Sequence, residues 1–276
     1  MEFASNILHG SVWREGKPIF EYQPEAGEIF NMASATKSLK SLMIANALQT
    51  GLITSIDDPV KIYLPSLPSR FGCIPLQSFL TMTSGIDWPS PQTPAIESSE
   101  VVEFLTINKI RIADHQGHFV YKPDSAVVLK LLEAVYGNTI ENAFNHLFRP
   151  YGLEPIELDG GFWEYQGASS APKNLHILAG LIRQALAGDG SLFSPGYIRG
   201  CFQMQADGGA PEHDGYSYLW WVPDDTKLDG IYAAGFGGQY WFVSQYTDLS
   251  IVIFSTQDGP HPENRIWLKE LVKSSK

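Results

Sequence analysis

Aromatic and β-branched residues crowd the two ends of this 276-residue chain, and helical patterns fill its middle. At the front, "ILHGSVWREGKPIFEY" (7–22) alternates loosely about Glu15-Gly16-Lys17-Pro18. That pattern predicts a β-hairpin with Pro18 opening its second strand. At the back, 216–223, 230–245 and 248–258 are strand-like runs separated by turn clusters, which suits an antiparallel meander. Strands at both ends leave the fewest open edges by pairing into one sheet. The expected fold is α+β: an antiparallel sheet from both chain ends flanked by helices, with a mainly helical middle lobe. Residues 1–32 and 160–276 would form the sheet lobe and 33–159 the helical lobe of a single unit, 1–276. Helical patterns fall at 97–108, 124–136, 139–149 and Asn174 to Ala187, and the tail "HPENRIWLKELVKSSK" reads as an amphipathic helix. The loop-like stretches 88–98 and 203–214 are placed to border a cleft.

Several function classes drop out on composition. A net charge of −11 argues against a nucleic-acid surface, which needs clustered Lys and Arg. Cys73 and Cys201 lie far apart without metal-like spacing, so two reduced thiols are expected. His115 and His118 are the one close histidine pair, in a loop with only Asp114 nearby, so neither a metal nor another cofactor is expected. "MEFASNILHG" lacks a basic region followed by an apolar core, and no apolar run reaches the length of a membrane span. A cytoplasmic protein without a membrane partner is the expectation.

Chemistry concentrates in "NMASATKSLKSLMIANALQTG", 31–51. Residues three apart share a helix face, so Ser34 and Lys37 sit together at the mouth of a helix ending near Gly51. Unpaired backbone N–H groups and the positive end of the helix dipole there favour negative charge on a hydroxyl or an attacked carbonyl oxygen. Apolar surroundings (Leu39, Leu42, Met43, Ile44) favour an uncharged amine, the form that acts as a base. The plainer alternative is a capping serine and a solvated lysine. Ser170 and Lys173 repeat the spacing with a proline between them, and read as a helix start.

Taken in order, "MASATKSLKSL", "GLITSIDDPVKIYLPSLPS", "LQSFLTMTSGIDW", "GHFVYKPDSAVVLKLLEAVYG", "SSAPKNLHILAGLI", "GYSYLWWV" and "GFGGQYWFV" resemble segments of the serine hydrolases with a β-lactamase-like fold. The likeness is to the class C β-lactamase branch with its esterases, D-amino-acid peptidases and 6-aminohexanoate-dimer hydrolases, and it runs from residue 29 to 257. The resemblance implies Ser34 as nucleophile, Lys37 as its activating partner and Tyr121 as general acid or base. It implies an oxyanion hole from the Ser34 and Phe236 N–H groups. It also implies close substrate approach along Gly235, Gly237, Gly238 and Gln239, where the plainer alternative for the glycines is a β-bulge or turn. Apart from the resemblance, Trp88, Trp220, Trp221, Tyr240 and Trp241 are candidates for an acyl pocket or equally for the core.

The chain departs from that pattern in three places. Pro123 stands where the family carries asparagine or serine two residues after the tyrosine. Ala233-Ala234-Gly235 replaces the Lys-Thr-Gly that recognises a substrate carboxylate. Only 33 residues precede Ser34, so the family's leading helix is expected to be missing. These differences favour a serine hydrolase acting through an acyl-enzyme on a small ester or amide. β-Lactamase or D-amino-acid peptidase activity, and a catalytically weak binding protein of the same fold, remain alternatives. No G-x-S-x-G is present, which removes the α/β-type triad hydrolases. The oligomeric state is left open.

Overall fold

The computed structural model describes residues 5–24, 29–88, 100–108, 110–113, 116–158, 167–225 and 228–275. The chain ends do pair. β1 (Ile7–Arg14) and β2 (Lys17–Tyr22) make the N-terminal hairpin. β1 then runs antiparallel to β11 (Leu249–Ser255), with Gly10 opposite Ile253 and Val12 opposite Ile251. The sheet continues through β10 (Gln239–Ser244), β9 (Gly230–Gly235), β8 (Trp221–Val222), β7 (Asp214–Tyr216) and β6 (Ala206–Gly209). Its eight strands lie in the order β2-β1-β11-β10-β9-β8-β7-β6.

β10 and β11 are buried at every position. Near-continuous apolar runs such as "SIVIF" belong to strands covered on both faces, and the covering helices are α7 (Pro172–Leu186) and α9 (Glu263–Ser274). The remaining α-helices among the described residues are α1 (Lys37–Thr50), α2 (Ser69–Gly72), α3 (Leu76–Leu80), α4 (Val101–Ile107), α5 (Asp124–Tyr136), α6 (Ile140–Phe148) and α8 (Pro195–Cys201). The helical pattern that begins at 97 yields described helix only from Val101. None of the helices among the described residues is long and apolar enough to cross a membrane. Cys73 is exposed and Cys201 buried, and both are free.

A second, small sheet was not expected from the sequence. It joins β3 (Phe30–Asn31), β4 (Glu157–Leu158) and β5 (Ala168–Ser170) in the order β3-β5-β4. Strands of two or three residues are too short to show alternation. This sheet ties the segment entering α1 to the segment entering α7.

α1 is enclosed on nearly every side: Lys37, Ser38, Leu39 and all residues from Ser41 to Ala47 are buried. Its polar groups are therefore paired inside the protein. Ser38 Oγ donates to Leu219 O at 2.7 Å, Asn46 Nδ2 to Leu192 O at 2.8 Å, and Tyr136 O–H to both Met43 O and Asn46 Oδ1 at 2.9 Å. Gly51, left-handed at φ 77°, ends the helix.

Beneath α7 runs a chain of hydrogen bonds whose direction can be deduced. Gln23 Oε1 lies 3.2 Å from His9 Nδ1, His9 Nε2 2.9 Å from Ser11 Oγ, Ser11 Oγ 2.7 Å from His176 Nε2, and His176 Nδ1 2.9 Å from Ser250 Oγ. An amide oxygen only accepts, so His9 Nδ1 carries the proton; burial keeps the ring neutral, so its Nε2 accepts from Ser11. Ser11 must then accept from His176 Nε2–H, which leaves His176 Nδ1 to accept from Ser250. Both histidines are neutral in this arrangement. Burial lowers both from their usual range, His176 to about 3. A histidine depressed on folding costs stability as pH falls, because the unfolded chain takes the proton and the folded one does not.

The stability difference between wild type and His176→Gln should be level above pH 7. Below about 6.5 it should shrink by roughly 1.4 kcal/mol per pH unit. Urea unfolding of both proteins across pH 4.5–8 checks this, and parallel pH curves would refute the assignment of His176 as neutral and buried.

Candidate active site

Ser34 lies in a 3₁₀ turn, Ala33–Thr36, that runs directly into α1, rather than in the first turn of the α-helix itself. It does not cap the helix: neither the turn nor α1 has a side-chain N-cap bond. Its Oγ instead accepts a hydrogen bond from Lys37 Nζ at 2.8 Å. Lys37 is 6% exposed, so this amine is held inside the protein. Ser170, by contrast, is buried and bonded to Ala171 O and Asn174 Nδ2, while Lys173 is exposed. The second Ser-Lys spacing is a helix start and nothing more.

The turn before the serine is held in an unfavourable conformation. Ala33 has φ 47°, a left-handed geometry that costs a residue with a Cβ. Neighbours fix it there: Ala33 N–H donates to Asn31 Oδ1 at 2.7 Å, and Met32 N–H to Ala168 O at 2.8 Å. Thr36 Oγ1 accepts from Ala168 N–H at 2.7 Å. Two glycines press on the turn. A Cβ on Gly167 would stand 2.2 Å from Ala33 O, and one on Gly235 would stand 2.3 Å from Met32 O.

Ser34 and Lys37 open into a cleft of about 680 Å³ whose walls also carry Tyr121, Pro123, Trp221, Ala234 and Phe236. Lys37 Nζ lies 5.0 Å from the centre of the Tyr121 ring, over its face. Tyr121 stacks on Trp221 at 5.7 Å, and its hydroxyl has no hydrogen-bond partner among the described residues. The loop that delivers Tyr121 is anchored on both sides. Val120 N–H donates to Met82 O at 3.0 Å. Asp124, in the first turn of α5, accepts from Ser84 Oγ and from Trp88 Nε1, each at 2.7 Å. Burial raises the Asp124 carboxyl to about 6 against the effect of these bonds.

Trp88 therefore does not fill the substrate-binding place expected for it. It is 2% exposed, absent from the cleft wall, and holds the loop below Tyr121. Trp220 and Trp241 are core residues as well, whereas Trp221 and Tyr240 do line the cleft. Gly235, Phe236, Gly237 and Gly238 line it too, in the turn from β9 to β10. Gln239 is 1% exposed and faces away from the cleft wall. Its Nε2 donates to Phe236 O at 3.2 Å and to Ser255 O at 2.9 Å, so it braces the turn. Gly237 and Gly238 have φ near 80°. A Cβ on Gly238 would lie 2.6 Å from Asn264 Nδ2, so α9 presses on the same turn.

The far wall holds groups that no local sequence pattern marked. Arg265 of α9 hydrogen-bonds the buried Asp214 and lies 3.7 Å from Glu212. Tyr240 O–H donates to Glu212 at 3.2 Å, and Tyr232 O–H to Asp214 at 2.5 Å. Burial raises the Glu212 carboxyl despite the arginine. Lys122, His261 and Lys269 complete the charged lining. Hydrogen bonding to Asp258 and Glu263 keeps His261 above its usual range. These residues come from positions far apart in the chain, and only the fold brings them together. No group of three or more metal-ligating side chains occurs among the described residues, and His115 lies outside them.

Gly167→Ala should destabilise the protein by roughly 1–3 kcal/mol, because its Cβ meets backbone that cannot yield. Gly180→Ala is the control. It lies in α7 with open space around it and should gain up to about 1 kcal/mol. Thermal melts of the two variants check the pair, and equal behaviour would disprove the packing argument.

Solved structures share this architecture. A β-lactamase/D-alanine carboxypeptidase from Pseudomonas syringae superposes with a TM-score of 0.74 at 18% identity, covering 98% of this chain and 93% of that one. A class C β-lactamase from Rhodobacter sphaeroides gives 0.72 at 17% identity, covering 98% and 95%. EstCE1, a hydrolase with promiscuous acyltransferase activity, gives 0.73 at 17% identity, covering 96% and 93%. No curated protein matches in sequence. The family model for beta-lactamase matches residues 11–174, which include the Ser34–Lys37 turn and Tyr121. By that match the chain belongs to the beta-lactamase family, a family of serine hydrolases in general.

Proposed function

We propose that this protein is a serine hydrolase that turns over small esters or amides through an acyl-enzyme. The observation that carries the reading is the 2.8 Å hydrogen bond from Lys37 Nζ to Ser34 Oγ inside the cleft. In the reaction, the Ser34 hydroxyl gives its proton to the Lys37 amine as Oγ attacks the substrate carbonyl. The Ser34 and Phe236 N–H groups receive the developing oxyanion. The C–O or C–N bond to the leaving group then breaks, and the leaving group takes a proton relayed by Lys37 and Tyr121. Water attacks the acyl-enzyme, gives its proton back through the same groups, and frees Ser34.

Ser34 alone should react with a fluorophosphonate probe, read by intact mass and peptide mapping, and Ser34→Ala should take no label. Lys37→Ala and Tyr121→Phe should fold and lose about 10²-fold or more in turnover of a chromogenic ester. A label on another serine, or near wild-type rates in both variants, would defeat the assignment. No label on folded wild type would leave a binding protein of this fold.

The substrate class follows from the strand beside the nucleophile. Ala233 is buried and Ala234 lines the cleft, where a Lys-Thr pair would grip a carboxylate. Losing one charged hydrogen bond costs about 1.5 kcal/mol at the low end, about a factor of ten. Arg265 is already engaged by Glu212 and Asp214. p-Nitrophenyl butyrate should accordingly exceed nitrocefin in kcat/KM by about tenfold or more on one enzyme preparation. Nitrocefin ahead of the ester would show that another cation of the cleft, Lys122 or Lys269, reads the carboxylate.

A further inference from the structure

Charge is distributed over the cleft against the trend of the chain. Acids outnumber Lys and Arg by 30 to 19 in the sequence. On the cleft wall the balance reverses: Lys37, Lys122, Arg265 and Lys269 stand there with His261, against Glu212 as the one acid among the described residues. Most of these charges are accounted for within the protein. Lys37 is bonded to Ser34. Arg265 is held by Asp214 and lies 3.7 Å from Glu212, which also accepts from Tyr240. His261 is bonded to Asp258 and Glu263. Lys122 and Lys269 are left, each half-buried and neither in an ion pair or hydrogen bond among the described residues. Asp124, two residues from Lys122, is buried and turned to Ser84 and Trp88. Unpaired ammonium groups on a concave wall focus a positive potential on the space they face.

We infer, on the hydrolase reading above, that the cleft selects substrates whose leaving group carries a carboxylate remote from the scissile bond, with Lys122 and Lys269 as the residues that bind it. Lys122 directly follows Tyr121, which passes a proton to the leaving group in that reaction, so Lys122 belongs to the leaving-group end of the cleft. Lys269 follows Asn264 by five residues of α9, and Asn264 is the residue that presses on the turn at Gly238. Five helical residues rise about 7.5 Å. The Lys269 backbone therefore stands well past the strand end where Ala233 and Ala234 offer no grip to a carboxylate beside the scissile bond. A cleft of about 680 Å³ has room for a ligand much larger than a short-chain ester. Trp221, Phe236, Tyr240 and Ile266 give it apolar surface for a hydrophobic spacer between the ester and the anion. The lysines would meet the carboxylate through charge-assisted N–H···O contacts, and the bonds made and broken at Ser34 stay the same.

The test compares 3-(4-acetoxyphenyl)propanoate with its neutral primary amide. The two phenyl acetates match in size, and two methylenes insulate the phenol oxygen from the end that differs in charge. Phenol release gives kcat/KM for each on wild type, Lys122→Met, Lys269→Met and the double variant, all checked for folding by circular dichroism. Wild type should favour the carboxylate by about fivefold or more at low salt. That preference should shrink as salt rises from about 0.01 to 1 M. Each single variant should lower the ratio of the two kcat/KM values, and the double variant should abolish the preference, whatever happens to the absolute rates. Equal rates on the two esters in wild type, a preference for the amide, or a ratio kept in the double variant overturns the inference. A preference undiminished at high salt overturns it too. If a methionine variant does not fold, glutamine takes its place with the same expected ratio. Should neither ester turn over, the hydrolase reading is what has failed. The anion site is then read alone, by calorimetry with 3-phenylpropanoate and 3-phenylpropanamide. Binding of the acid but not the amide, lost in the double variant, upholds the site, and equal behaviour of the two ligands refutes it.

Discussion

The Met32–Ser34 turn is compressed between two glycines, and the rest of the site depends on that contact. Gly167 fixes it from the small sheet and Gly235 from the end of β9 in the large one. Both contacts are with backbone atoms, so neither can be relieved by a rotamer change. The turn cannot relax out of its left-handed Ala33 without moving both sheets. Strain at one residue is therefore maintained by two packed layers, and it fixes where Ser34 Oγ meets Lys37 Nζ.

The same contact explains why an antiparallel sheet needs strands from both ends of the chain. β9 carries Gly235 against the turn, and β10 and β11 hold β9 in place through their own pairing. β1 extends the sheet beyond β11 and takes part, with α7, in the polar chain through Ser11 and His176. The helical middle supplies the opposite wall. α1 is anchored by buried hydrogen bonds to Leu219 and Leu192, and α5 by Asp124.

Much of this was legible in the sequence because it is periodic or local. The hairpin at 7–22, the meander after 215 and the helices α5, α6 and α7 follow from alternation, spacing and turn residues. The Ser34–Lys37 contact was legible for the same reason: residues three apart meet across one helical turn, and the 3₁₀ turn leading into α1 brings them together as an α-helical turn would. What was not legible depends on long-range placement. The small sheet is built from strands too short for any pattern. Trp88 looked like a pocket aromatic because a tryptophan beside a loop carries no mark of its partner, and Asp124, which binds its indole N–H, is 36 residues away. Gln239 adjoins the glycine turn in sequence, yet alternation along β10 turns its side chain into the protein. Glu212, Arg265 and Lys269 share a wall only after α9 docks on the sheet.

Among the titratable groups that burial shifts, His176, Asp124 and Lys40 differ in the sign or the range of their effect on stability. As pH falls below 6.5, neutral His176 withdraws stability from the fold. Asp124, raised to about 6, acts the other way, because the folded state takes its proton before the unfolded chain does. Between about 6 and 3.8 the two slopes, each roughly 1.4 kcal/mol per unit, largely cancel. Lys40 lies outside that balance. A lysine brought from 10.5 to about 7 lowers the stability of the fold at every pH below its ordinary range, and no ion pair among the described residues offsets the loss. Asp124 at least binds the Tyr121 loop to α5 in exchange for its burial. Lys40 makes a single bond to a backbone carbonyl, Ser125 O at 3.3 Å, which offsets little of that cost.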